Sequence, residues 1–567
     1  MSSLHRLIST SLTQSIQTSK RRKRILPSTY VLSPSSFKFS TLTTAPQSLP
    51  GERLRVAVVG GGCAGLSSAL HLAPLVEKGL LASPIDIYTH DNHLTAHQRD
   101  IGVGVWSTAL DPFRLEQDRP SHQLAYKSLI QAGTWVTNVG YRTPDGSWLM
   151  KSHLPSNHLE ADQRNMPALL FLREKDLWNS LSTAVHWEQQ RGMIQIHTQQ
   201  KVTQLWEQST RPFSTHLMIE KQGNKGLSLP TEREYHVIIA ADGTHSLLRQ
   251  QYGGHDVERR VRLTGTGALP MPLDIPAEGQ HASAADWNEM QRQTGIGLQD
   301  RHYTVYRGNS VLTRNEMGLD DTSFQTWGTG NSMRFATVPM VYPVGNRKEE
   351  RQVWFITCND PEIAQETNPS KRQDLLLEKF QGWHDPIRRI VEATGPNEIL
   401  ADRAIAHRYA TSPVLNFNHV VEKMRGIRPP NSGSGPFIIF VGDAFMTIDP
   451  ILAQGFTVGM EGAYIMKKAI EKACVKCERD SSLNYDPYLL EKVLRERDES
   501  RMKRLVCLLR ATELVQFLGQ PSGTLGQFQT KILRPVVQMI PNLIKSPIFD
   551  RVLKYSLGIT PFRTKGE

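Results

Sequence analysis

Residues 54–66 read Leu54-Arg55-Val56-Ala57-Val58-Val59-Gly60-Gly61-Gly62-Cys63-Ala64-Gly65-Leu66. An apolar, β-branched run passes directly into G-x-G-x-x-G and then into helix-forming residues, which is the order of a strand, a phosphate-binding turn and a helix. Gly60 allows the tight turn, Gly62 lets the backbone approach a pyrophosphate, and Gly65 allows close packing of helix on strand. The free N–H groups of the new helix would face the phosphates. The stretch therefore predicts a dinucleotide-binding unit.

The residue that should hold the ribose of this dinucleotide is ambiguous. It is expected at the end of the next strand, about twenty residues on, and residues 85–91 have that character. Thr89 occupies the position that usually carries an acid, and Asp91 follows two residues later. Either Asp91 substitutes after a small shift of the loop, or Thr89 and His90 hold the ribose.

A second motif follows the apolar run 236–240, where the chain continues Ala241-Asp242-Gly243-Thr244-His245-Ser246. A strand that ends in Asp-Gly can be a structural turn leading into a capped helix. It can equally place the acceptor Asp242 and the small Gly243 beside a pyrophosphate. Both interpretations stay open from the residues alone.

A third motif follows the apolar run 436–440 and begins Val441-Gly442-Asp443-Ala444. Asp443 would stand at a strand end, where its carboxylate can accept hydrogen bonds from ribityl hydroxyls. The turn 449–455 then starts another helix, whose N-terminus can stabilise negative charge on a reduced isoalloxazine. In this order and spacing, the three motifs together predict one binding site for a flavin dinucleotide.

The net charge of +11 is concentrated at the N-terminus. Residues 1–51 contain seven Lys or Arg, no acid and nineteen Ser or Thr, so removing their seven charges leaves +4. That remainder is ordinary for a globular body, and no nucleic-acid partner is predicted. An acid-free, Arg- and Ser-rich start predicts an organelle transit peptide, mitochondrial before plastid. A disordered tail on a cytoplasmic protein, or a nuclear signal built on residues 20–24, is the alternative.

The chain has 567 residues, of which 39% are hydrophobic and 21% charged, and this predicts a globular protein of two or three domains. No apolar run reaches about eighteen residues, so no spanning helix is predicted. Five cysteines do not make a disulfide framework in a chain of this length. Cys474 and Cys477 form a C-x-x-C without a second pair, which favours a solvated helix face over a metal or redox site. No metal site is predicted.

The hydrophobic pattern predicts an α/β fold, in which a Rossmann-like domain is interrupted by a largely antiparallel sheet. Residues 99–106, a basic residue followed by Gly-x-Gly, are most simply interpreted as a surface loop. Alternating segments such as His302-Tyr303-Thr304-Val305-Tyr306 predict strands that would wall one side of a pocket. The predicted divisions are a transit segment 1–51, a nucleotide-binding domain in two parts, 52–262 and 402–480, an inserted sheet 263–401, and a helical C-terminal region 481–567.

These motifs resemble those of the single-component FAD-dependent aromatic hydroxylases, the flavoprotein monooxygenases that include para-hydroxybenzoate and salicylate hydroxylases. The resemblance spans about residues 54–472, and its middle segment is nearest to the salicylate hydroxylase and zeaxanthin epoxidase branch. In that family two arginines, at the positions of Arg99 and Arg173, lie near the pyrophosphate and ribose. The backbone at the position of Val202 meets the adenine. The resemblance implies the following FAD-binding residues: Gly60, Gly62, Ala64, Gly65, Thr89, Asp91, Arg99, Arg173, Val202, Asp242, Gly243, Gly442, Asp443, Pro450, Gln454 and Gly455.

The chemistry that the resemblance implies is oxygen insertion. FAD would be reduced by NADPH or NADH as a transient donor, and the reduced flavin would react with dioxygen. One oxygen would pass from a flavin C4a-hydroperoxide to an aromatic or lipid- or quinone-like molecule, by hydroxylation or epoxidation. The cofactor carries this chemistry, so no Ser-His-Asp or metal constellation is needed. There is no second complete G-x-G-x-x-G for the nicotinamide donor, which favours transient docking.

Two departures from the family pattern fall where the flavin ring is expected. Phe445-Met446 stand where Ala-His is common, and Asp449 precedes Pro450 where an apolar residue or His is more usual. They leave two other function classes open, a flavin-dependent dehydrogenase or reductase without oxygen insertion and a non-catalytic FAD-bound scaffold.

The substrate-pocket candidates lie in the inserted sheet, and no catalytic side chain is predicted. They are Tyr306, Arg307, Trp327 and Arg334. The C-terminal region 481–567 has apolar stretches flanked by Lys or Arg. Packing on the body is its simplest interpretation, and peripheral membrane docking, which would suit a lipid-like substrate, is the alternative.

Overall fold

The structure is a computed structural model, and the residues it describes belong to one unit, Ser48–Glu567. They are 53–92, 94, 99–116, 118–154, 156–157, 166–205, 214–221, 227–252, 298–320, 322–328, 333–344, 347–407 and 437–480, with scattered residues between 489 and 516. The predicted transit segment 1–51 and the end of the C-terminal region, 517–567, lie outside the described residues.

The strands are numbered along the described chain. They are β1 (Val56–Val59), β2 (Ile85–Tyr88), β3 (Gly102–Trp106), β4 (Thr134–Val136), β5 (Asn138–Arg142), β6 (Trp148–His153), β7 (Ser156–Asn157), β8 (Met166–Pro167), β9 (Leu169–Arg173), β10 (Ile194–His197), β11 (Gln200–Leu205), β12 (Leu217–Lys221), β13 (Ser228–Pro230), β14 (Val237–Ala240), β15 (Leu298–Ser310), β16 (Thr322–Trp327), β17 (Met333–Val344), β18 (Arg347–Cys358), β19 (Leu400–His407) and β20 (Phe437–Phe440).

The α-helices are numbered in the same way. They are α1 (Cys63–Glu77), α2 (Ser107–Leu115), α3 (Pro120–Ala132), α4 (Glu174–Gln190), α5 (Leu247–Tyr252), α6 (Pro361–Gln365), α7 (Pro369–Lys379), α8 (Ile387–Glu392) and α9 (Gly455–Asp480). Short 3₁₀ turns occupy Pro396–Glu398, Gly442–Ala444 and Pro450–Leu452.

A five-stranded parallel sheet forms the nucleotide-binding domain, in the order β10-β2-β1-β14-β20. Every residue of β1 is buried because both faces of the sheet are covered. Val56 and Val58 pack into a core with α1, α4 and α9, whereas Ala57 and Val59 pack into a second core on the other face. Strand order and pairing confirm the predicted Rossmann-like α/β frame.

A seven-stranded sheet forms the second layer, in the order β19-β15-β18-β17-β16-β5-β6. Its pairs are antiparallel except β16 with β5, which are parallel. The sheet extends beyond the predicted segment 263–401, because β5 and β6 come from residues 138–153. Helices α6 to α8 cover one face of it, where Phe335 and Trp354 are fully buried.

Residues 102–106, predicted as part of a surface loop, instead form the buried strand β3. β3 pairs with β9, and β9 with β4, in a small antiparallel sheet. A Cβ on Gly102 would lie 2.6 Å from the side chain of Val353 in β18, so this sheet lies against the seven-stranded one. Gly102 is therefore needed for close packing between two sheets, which local composition does not distinguish from a loop.

The described part of the C-terminal region packs on the body. Leu490, Val493 and Leu494 join the first core of the parallel sheet, and Leu505 and Leu508 join the second. Cys474 of α9 is fully buried, so the prediction of a solvated helix face is wrong at this residue. Among the helices that the structure describes, none is long and apolar enough to cross a membrane.

Candidate functional site

The three sequence motifs meet at one edge of the parallel sheet. Strands β1, β14 and β20 are neighbours and run in the same direction, so their carboxyl ends lie side by side. The backbone ladder continues past them, since Ala241 N donates to Val59 O at 2.8 Å and Val441 N donates to Ala240 O at 3.0 Å. The carboxyl edge of a parallel sheet is where α/β proteins bind ligands.

The glycine turn after β1 has the geometry that its pattern predicts. Gly60 has a φ of 112°, and a Cβ there would lie 2.2 Å from the carbonyl oxygen of Ala241. A Cβ on Gly65 would lie 2.0 Å from the carbonyl oxygen of Gly60, so close packing excludes a side chain at both positions. A Cβ on Gly62, by contrast, would meet only Trp178, at 4.0 Å. Gly62 is thus the glycine that leaves room for a ligand.

The N-terminus of α1 fits a phosphate group. Gly62 is its N-cap and no side chain caps the first N–H groups. Ala64 lies on the first turn and packs under the third motif, where a Cβ on Gly442 would lie 2.8 Å from the Cβ of Ala64. Uncapped helical N–H groups at the carboxyl edge of the sheet would satisfy a pyrophosphate.

Both candidate ribose-binding residues lie at the end of β2. Thr89 is buried and its Oγ1 accepts from the backbone N–H of Asp91 at 3.3 Å. A Cβ on Gly61 would lie 3.1 Å from the Thr89 side chain, so the glycine turn and the end of β2 are in contact. His90 turns to the Asp91 carboxylate, with Nε2 and Oδ1 3.1 Å apart, and is itself exposed. Thr89 thus contacts the glycine turn, and Asp91 is hydrogen-bonded to Thr89.

The second motif is both a structural turn and a link to the third. Ser246 Oγ accepts from Arg249 N at 3.0 Å, which is the predicted cap of α5, and Gly243 has a φ of 81°. Arg249 Nη1 donates to the carbonyl oxygen of Phe445 at 2.7 Å. Asp242 keeps Oδ1 buried without a hydrogen-bond partner, and burial raises the pKa of its carboxyl.

Asp443 follows β20 beside the second motif. Gly442 before it has a φ of 58°, a value that favours glycine. Thr244 Oγ1 donates to Asp443 Oδ2 at 3.1 Å, and Thr244 belongs to the second motif. Burial is the largest influence on the Asp443 carboxyl and raises its pKa, while Thr244 and Arg249 act in the opposite direction. One bonded oxygen leaves acceptor capacity for a ligand hydroxyl.

The turn 449–455 is tied to the seven-stranded sheet through Asp449. Its Oδ1 accepts from the Tyr303 hydroxyl at 2.6 Å and from the backbone N–H of Ile451 at 3.0 Å. Its Oδ2 accepts from Arg301 Nε at 3.0 Å. The departure at Asp449 is therefore an anchor: the carboxylate caps the 3₁₀ turn that begins at Pro450 and joins it to β15.

The end of the same turn carries exposed backbone and an unpaired amide. Ala453 has a φ of 51°, and a Cβ on Gly455, which begins α9, would meet nothing within 4 Å. Gln454 is fully buried, yet neither its side-chain oxygen nor its nitrogen has a hydrogen-bond partner. Buried amides without partners are rare in native proteins, and this one indicates a missing polar ligand.

The second departure, Phe445-Met446, has a packing explanation. Both side chains are buried in the second core, with Ile448, Leu505 and Leu508. Both residues thus belong to the core of the domain, and their effect on a flavin stays a prediction.

The two predicted arginines form ion pairs with acidic residues. Arg173 pairs with Asp176, with Nη2 and Oδ1 2.8 Å apart, at the start of α4. Arg99 Nε lies 3.2 Å from Glu174 Oε2. Val202 is buried in β11, where it pairs with Ile219. The structure describes these positions but leaves their contact with a nucleotide as a prediction.

The four pocket candidates divide between the two faces of the seven-stranded sheet. Trp327 and Arg334 are directly paired neighbours on β16 and β17, facing the side of the turn 449–455. Tyr306 is fully buried on the opposite face, in the core under α6 to α8, so it is not a pocket residue. Arg307 pairs with Asp402, with Nη1 and Oδ2 3.3 Å apart, which gives it a structural role in joining β15 to β19.

Three residues of this face went unpredicted: Arg301, Tyr303 and Thr357. Tyr303 and Arg301 bind Asp449, and Thr357 is paired with Arg334 across β17 and β18. The alternation of β15 was visible in the sequence, but it does not say which face meets the turn 449–455. Only the departure at Asp449 could have suggested polar partners nearby.

A cluster of the buried His71 and His122 with the partly buried Glu116 was also unpredicted. His122 Nε2 lies 3.2 Å from His71 Nδ1 and 3.3 Å from Glu116 Oε2, while Lys467 Nζ binds the other oxygen of Glu116 at 2.9 Å. The ligand atoms are close enough to hold a metal ion. Burial lowers the pKa of both imidazoles, with the Lys467 charge acting in the same direction. Because Lys467 already supplies a cation, we interpret the cluster as a polar contact between helices.

Comparison with known proteins supports the fold. No protein-family model matches the chain. The aurachin C monooxygenase/isomerase of Stigmatella aurantiaca is 35% identical over 137 residues, which cover 24% of this chain and 31% of that protein. The chain thus matches less than a third of the length of this curated relative.

Solved structures match over far more of the chain. Klebsiella pneumoniae HpxO, complexed with FAD and uric acid, has a TM-score of 0.58 at 14% identity, covering 90% of this chain and 98% of that one. The 2,6-dihydroxypyridine-3-hydroxylase of Arthrobacter nicotinovorans has a TM-score of 0.51 at 15% identity, covering 83% and 94%. The chain therefore has the fold of these proteins, and the predicted α/β architecture with a large antiparallel sheet is confirmed.

Proposed function

We propose that the protein is an FAD-dependent monooxygenase that uses NADH or NADPH and dioxygen to hydroxylate or epoxidise an aromatic or lipid- or quinone-like small molecule. The observation that carries the proposal is the meeting of the glycine turn, Asp242 and Asp443 at one edge of the parallel sheet. A flavin dinucleotide is long enough to need phosphate, ribityl and ring contacts in a row, and these elements supply them in that order.

The residues fit FAD on physical grounds. The uncapped start of α1 would bind the pyrophosphate, with Gly62 leaving room for its approach. Asp443 would accept from ribityl hydroxyls, and the backbone from Ala453 to Gly455 would meet the pyrimidine edge of the ring. When bound, FAD supplies hydride acceptance and oxygen activation. The protein would orient the substrate with the seven-stranded sheet and exclude water from between the two layers.

Relatives support the reaction class. HpxO was solved with FAD and uric acid, and the curated relative is named a monooxygenase. We place the chain in the aromatic hydroxylase group on the shared fold together with its three motifs. The finer assignment to the salicylate hydroxylase and zeaxanthin epoxidase branch rests only on the residues of the middle segment.

Anaerobic mixing of the purified protein with NADH or NADPH tests the proposal. The candidate ligands are phenols, polyprenyl phenols and quinones. After flavin reduction, ¹⁸O₂ is admitted. We expect yellow flavin absorbance, ligand-stimulated flavin reduction and one labelled oxygen in the product. Reduction without labelled product would favour a dehydrogenase or reductase instead. A bound flavin that neither nucleotide reduces with any ligand would favour a scaffold.

We propose a mitochondrial location on the composition of residues 1–51. The test is the distribution of a fluorescent fusion to residues 1–51, compared with a fusion in which the seven Lys and Arg residues are replaced by Gln. We expect the first fusion to be imported into mitochondria and the second fusion not to be imported. Plastid, cytoplasmic or nuclear signal from the first fusion would contradict the proposal.

A further inference from the structure

The histidine cluster, His71, His122 and Glu116, joins three segments of the nucleotide-binding domain. His71 lies on α1, His122 on α3, and Glu116 caps the C-terminal end of α2. Lys467 of α9 contacts the cluster. Both imidazoles are fully buried, and the ring centroids of His71 and Phe113 are 4.5 Å apart. Burial favours the neutral form of an imidazole, which is the form that binds metal ions.

The ligand atoms of the cluster are spaced as a metal site requires. His122 Nε2 lies 3.2 Å from His71 Nδ1 and 3.3 Å from Glu116 Oε2. Zn²⁺ binds imidazole nitrogen and carboxylate oxygen at about 2.0–2.1 Å, so neighbouring ligands of a tetrahedral site are about 3.3–3.4 Å apart. One ligand atom of each of the three residues lies within 4.8 Å of the others. The cluster thus provides three of the four ligands of such a site.

Hydrogen bonding alone leaves part of the cluster unsatisfied. A proton on His122 Nε2 has two acceptors to serve, His71 Nδ1 and Glu116 Oε2, and Oε2 is buried without a hydrogen-bond partner. If the proton lies on His71 Nδ1 instead, the lone pair of His122 Nε2 lies beside a carboxylate oxygen and repels it. Buried oxygen atoms without partners are rare. A metal ion between the three atoms would accept all three lone pairs.

Two neighbouring residues are compatible with an ion at this place. Ser121 Oγ lies 3.4 Å from His122 Nδ1, and a hydrogen bond there fixes the tautomer that leaves Nε2 free for a metal ion. Lys467 Nζ binds Oε1 of Glu116 and Oε2 of Glu471, each at 2.9 Å. Lys467 therefore supplies the cation of the helix contact without occupying Oε2 of Glu116. Its charge would weaken the binding of a nearby ion but does not block the ligand atoms.

We propose that His71, His122 and Glu116 form a binding site for a divalent transition-metal ion such as Zn²⁺. Two imidazoles with one carboxylate suit Zn²⁺ better than Mg²⁺ or Ca²⁺, which prefer oxygen ligands. The Glu116 side chain is 17% exposed, so solvent can reach the site and supply the fourth ligand. An ion bound only by the folded chain stabilises it. None of the three ligands belongs to the proposed flavin site, so either proposal can fail without the other.

Calorimetric titration with ZnCl₂ tests the site on the FAD-loaded full-length protein, after treatment with EDTA and removal of the chelator. We expect binding with a Kd of about 10 µM or tighter, and a thermal midpoint that rises with the Zn²⁺ concentration. Mg²⁺ at the same concentrations should have no effect. Weaker Zn²⁺ binding, or an equal response to Mg²⁺, would overturn the proposal.

Variants assign the binding to the cluster. His122→Gln and Glu116→Gln should each weaken Zn²⁺ binding tenfold or more. His153→Gln is the control, since His153 is exposed on β6, and should bind as the wild type does. Zn²⁺ should raise the thermal midpoint of the control and not that of His122→Gln. Wild-type affinity in both cluster variants would mean an adventitious ion only, and the proposal would fail.

Lys467→Met distinguishes a metal site from a polar contact alone. Removal of the neighbouring positive charge should tighten Zn²⁺ binding threefold or more, although it destabilises the protein without zinc. A cluster that serves only as a polar contact would lose stability in this variant and gain no affinity. Because the expected change is a gain, misfolding does not imitate it. Unchanged or weaker Zn²⁺ binding in Lys467→Met would contradict the proposal.

Discussion

At the scale of single residues, the glycines of the first motif have different tasks. Gly60 and Gly65 are required by contacts within the fold, because a side chain would collide with backbone at 2.2 and 2.0 Å. Gly62 has space around it and a φ of −71°, which alanine adopts freely. The pattern G-x-G-x-x-G thus combines two packing positions with one binding position.

We expect Gly62→Ala and Gly65→Ala to separate these tasks. Gly65→Ala should lower the free energy of unfolding by about 2 kcal/mol or more, since it overpacks against Gly60. Gly62→Ala should cost no more than about 1 kcal/mol, the usual loss at an N-cap, yet weaken FAD binding. Urea unfolding of the apoprotein and flavin titration measure the two effects. Equal losses of stability in both variants would contradict the assignment.

Asp443 is predicted to hold the ribityl chain. Asp443→Ala should weaken FAD binding by about 2 kcal/mol, roughly 30-fold in Kd, because a charge-assisted acceptor is removed. The control is Asp320→Ala, which removes an exposed carboxylate paired with Lys151. Flavin absorbance after gel filtration gives the bound fraction. Full yellow colour in purified Asp443→Ala would refute the prediction.

At the scale of elements, two polar contacts hold separate pieces of the fold together. Asp449 joins the turn before α9 to β15, and the His71–His122–Glu116 cluster joins α1, α3 and the end of α2 to α9 through Lys467. Each contact links segments far apart in the chain. Their disruption should therefore affect stability more than a surface ion pair does.

We expect Asp449→Ala to destabilise the protein by about 3 kcal/mol, because Arg301 and Tyr303 lose their shared acceptor in a buried place. Glu392→Ala is the control, since it breaks only an exposed pair with Arg388 and should cost less than about 0.5 kcal/mol. Chemical unfolding measures both. A similar small loss in the two variants would mean that the turn is held by other contacts.

The histidine cluster should make stability depend on pH. Burial lowers the pKa of His122 to about 4, below its ordinary value of 6.5. The unfolded chain therefore binds more protons between these values, and stability falls as pH decreases from about 6.5 to about 4. His122→Gln should flatten this part of the dependence of the thermal midpoint on pH. An unchanged slope would show that His122 is not buried in neutral form.

At the scale of the whole molecule, the C-terminal region completes the core behind the third motif. Leu505 and Leu508 are buried with Phe445 and Met446, so a segment at the end of the chain supports a turn that faces the candidate site. The large apolar side chains at the departure from the common Ala-His pattern are part of this core. Peripheral membrane docking by the C-terminal region stays a prediction, since most of residues 481–567 lie outside the described part of the chain.

Leu508→Ala should therefore destabilise the protein by about 3 kcal/mol through a cavity in this core. Leu115→Ala is the matched control, because Leu115 is 60% exposed at the end of α2, and its loss should stay below about 0.5 kcal/mol. Thermal and urea unfolding provide the comparison. Equal effects would contradict the packing of the C-terminal region on the body.

The edge of the parallel sheet where the three motifs meet could be predicted, because each motif depends on local sequence. A β-branched run before glycines predicts the end of a strand, and so does an acid directly after an apolar run. Neither signal depends on the rest of the fold. The parallel frame, the glycine turn and the positions of Asp242 and Asp443 follow from such short stretches. Thr89 and Asp91 follow β2, the predicted strand, and their contact with a ribose stays a prediction.

Only the tertiary structure shows which face of each strand is buried and which distant residues it contacts. Alternation in β15 and β17 predicted strands, but only the packed sheets show that Tyr306 faces the helices while Arg334 faces the turn 449–455. Local composition predicts a loop at β3, because Gly102 packs against Val353 and Gly104 against Phe171 and Ala453, and all three residues are far along the chain. Local sequence determines where strands begin and end, whereas the side that is buried depends on long-range contacts, and these exist only once the chain has folded.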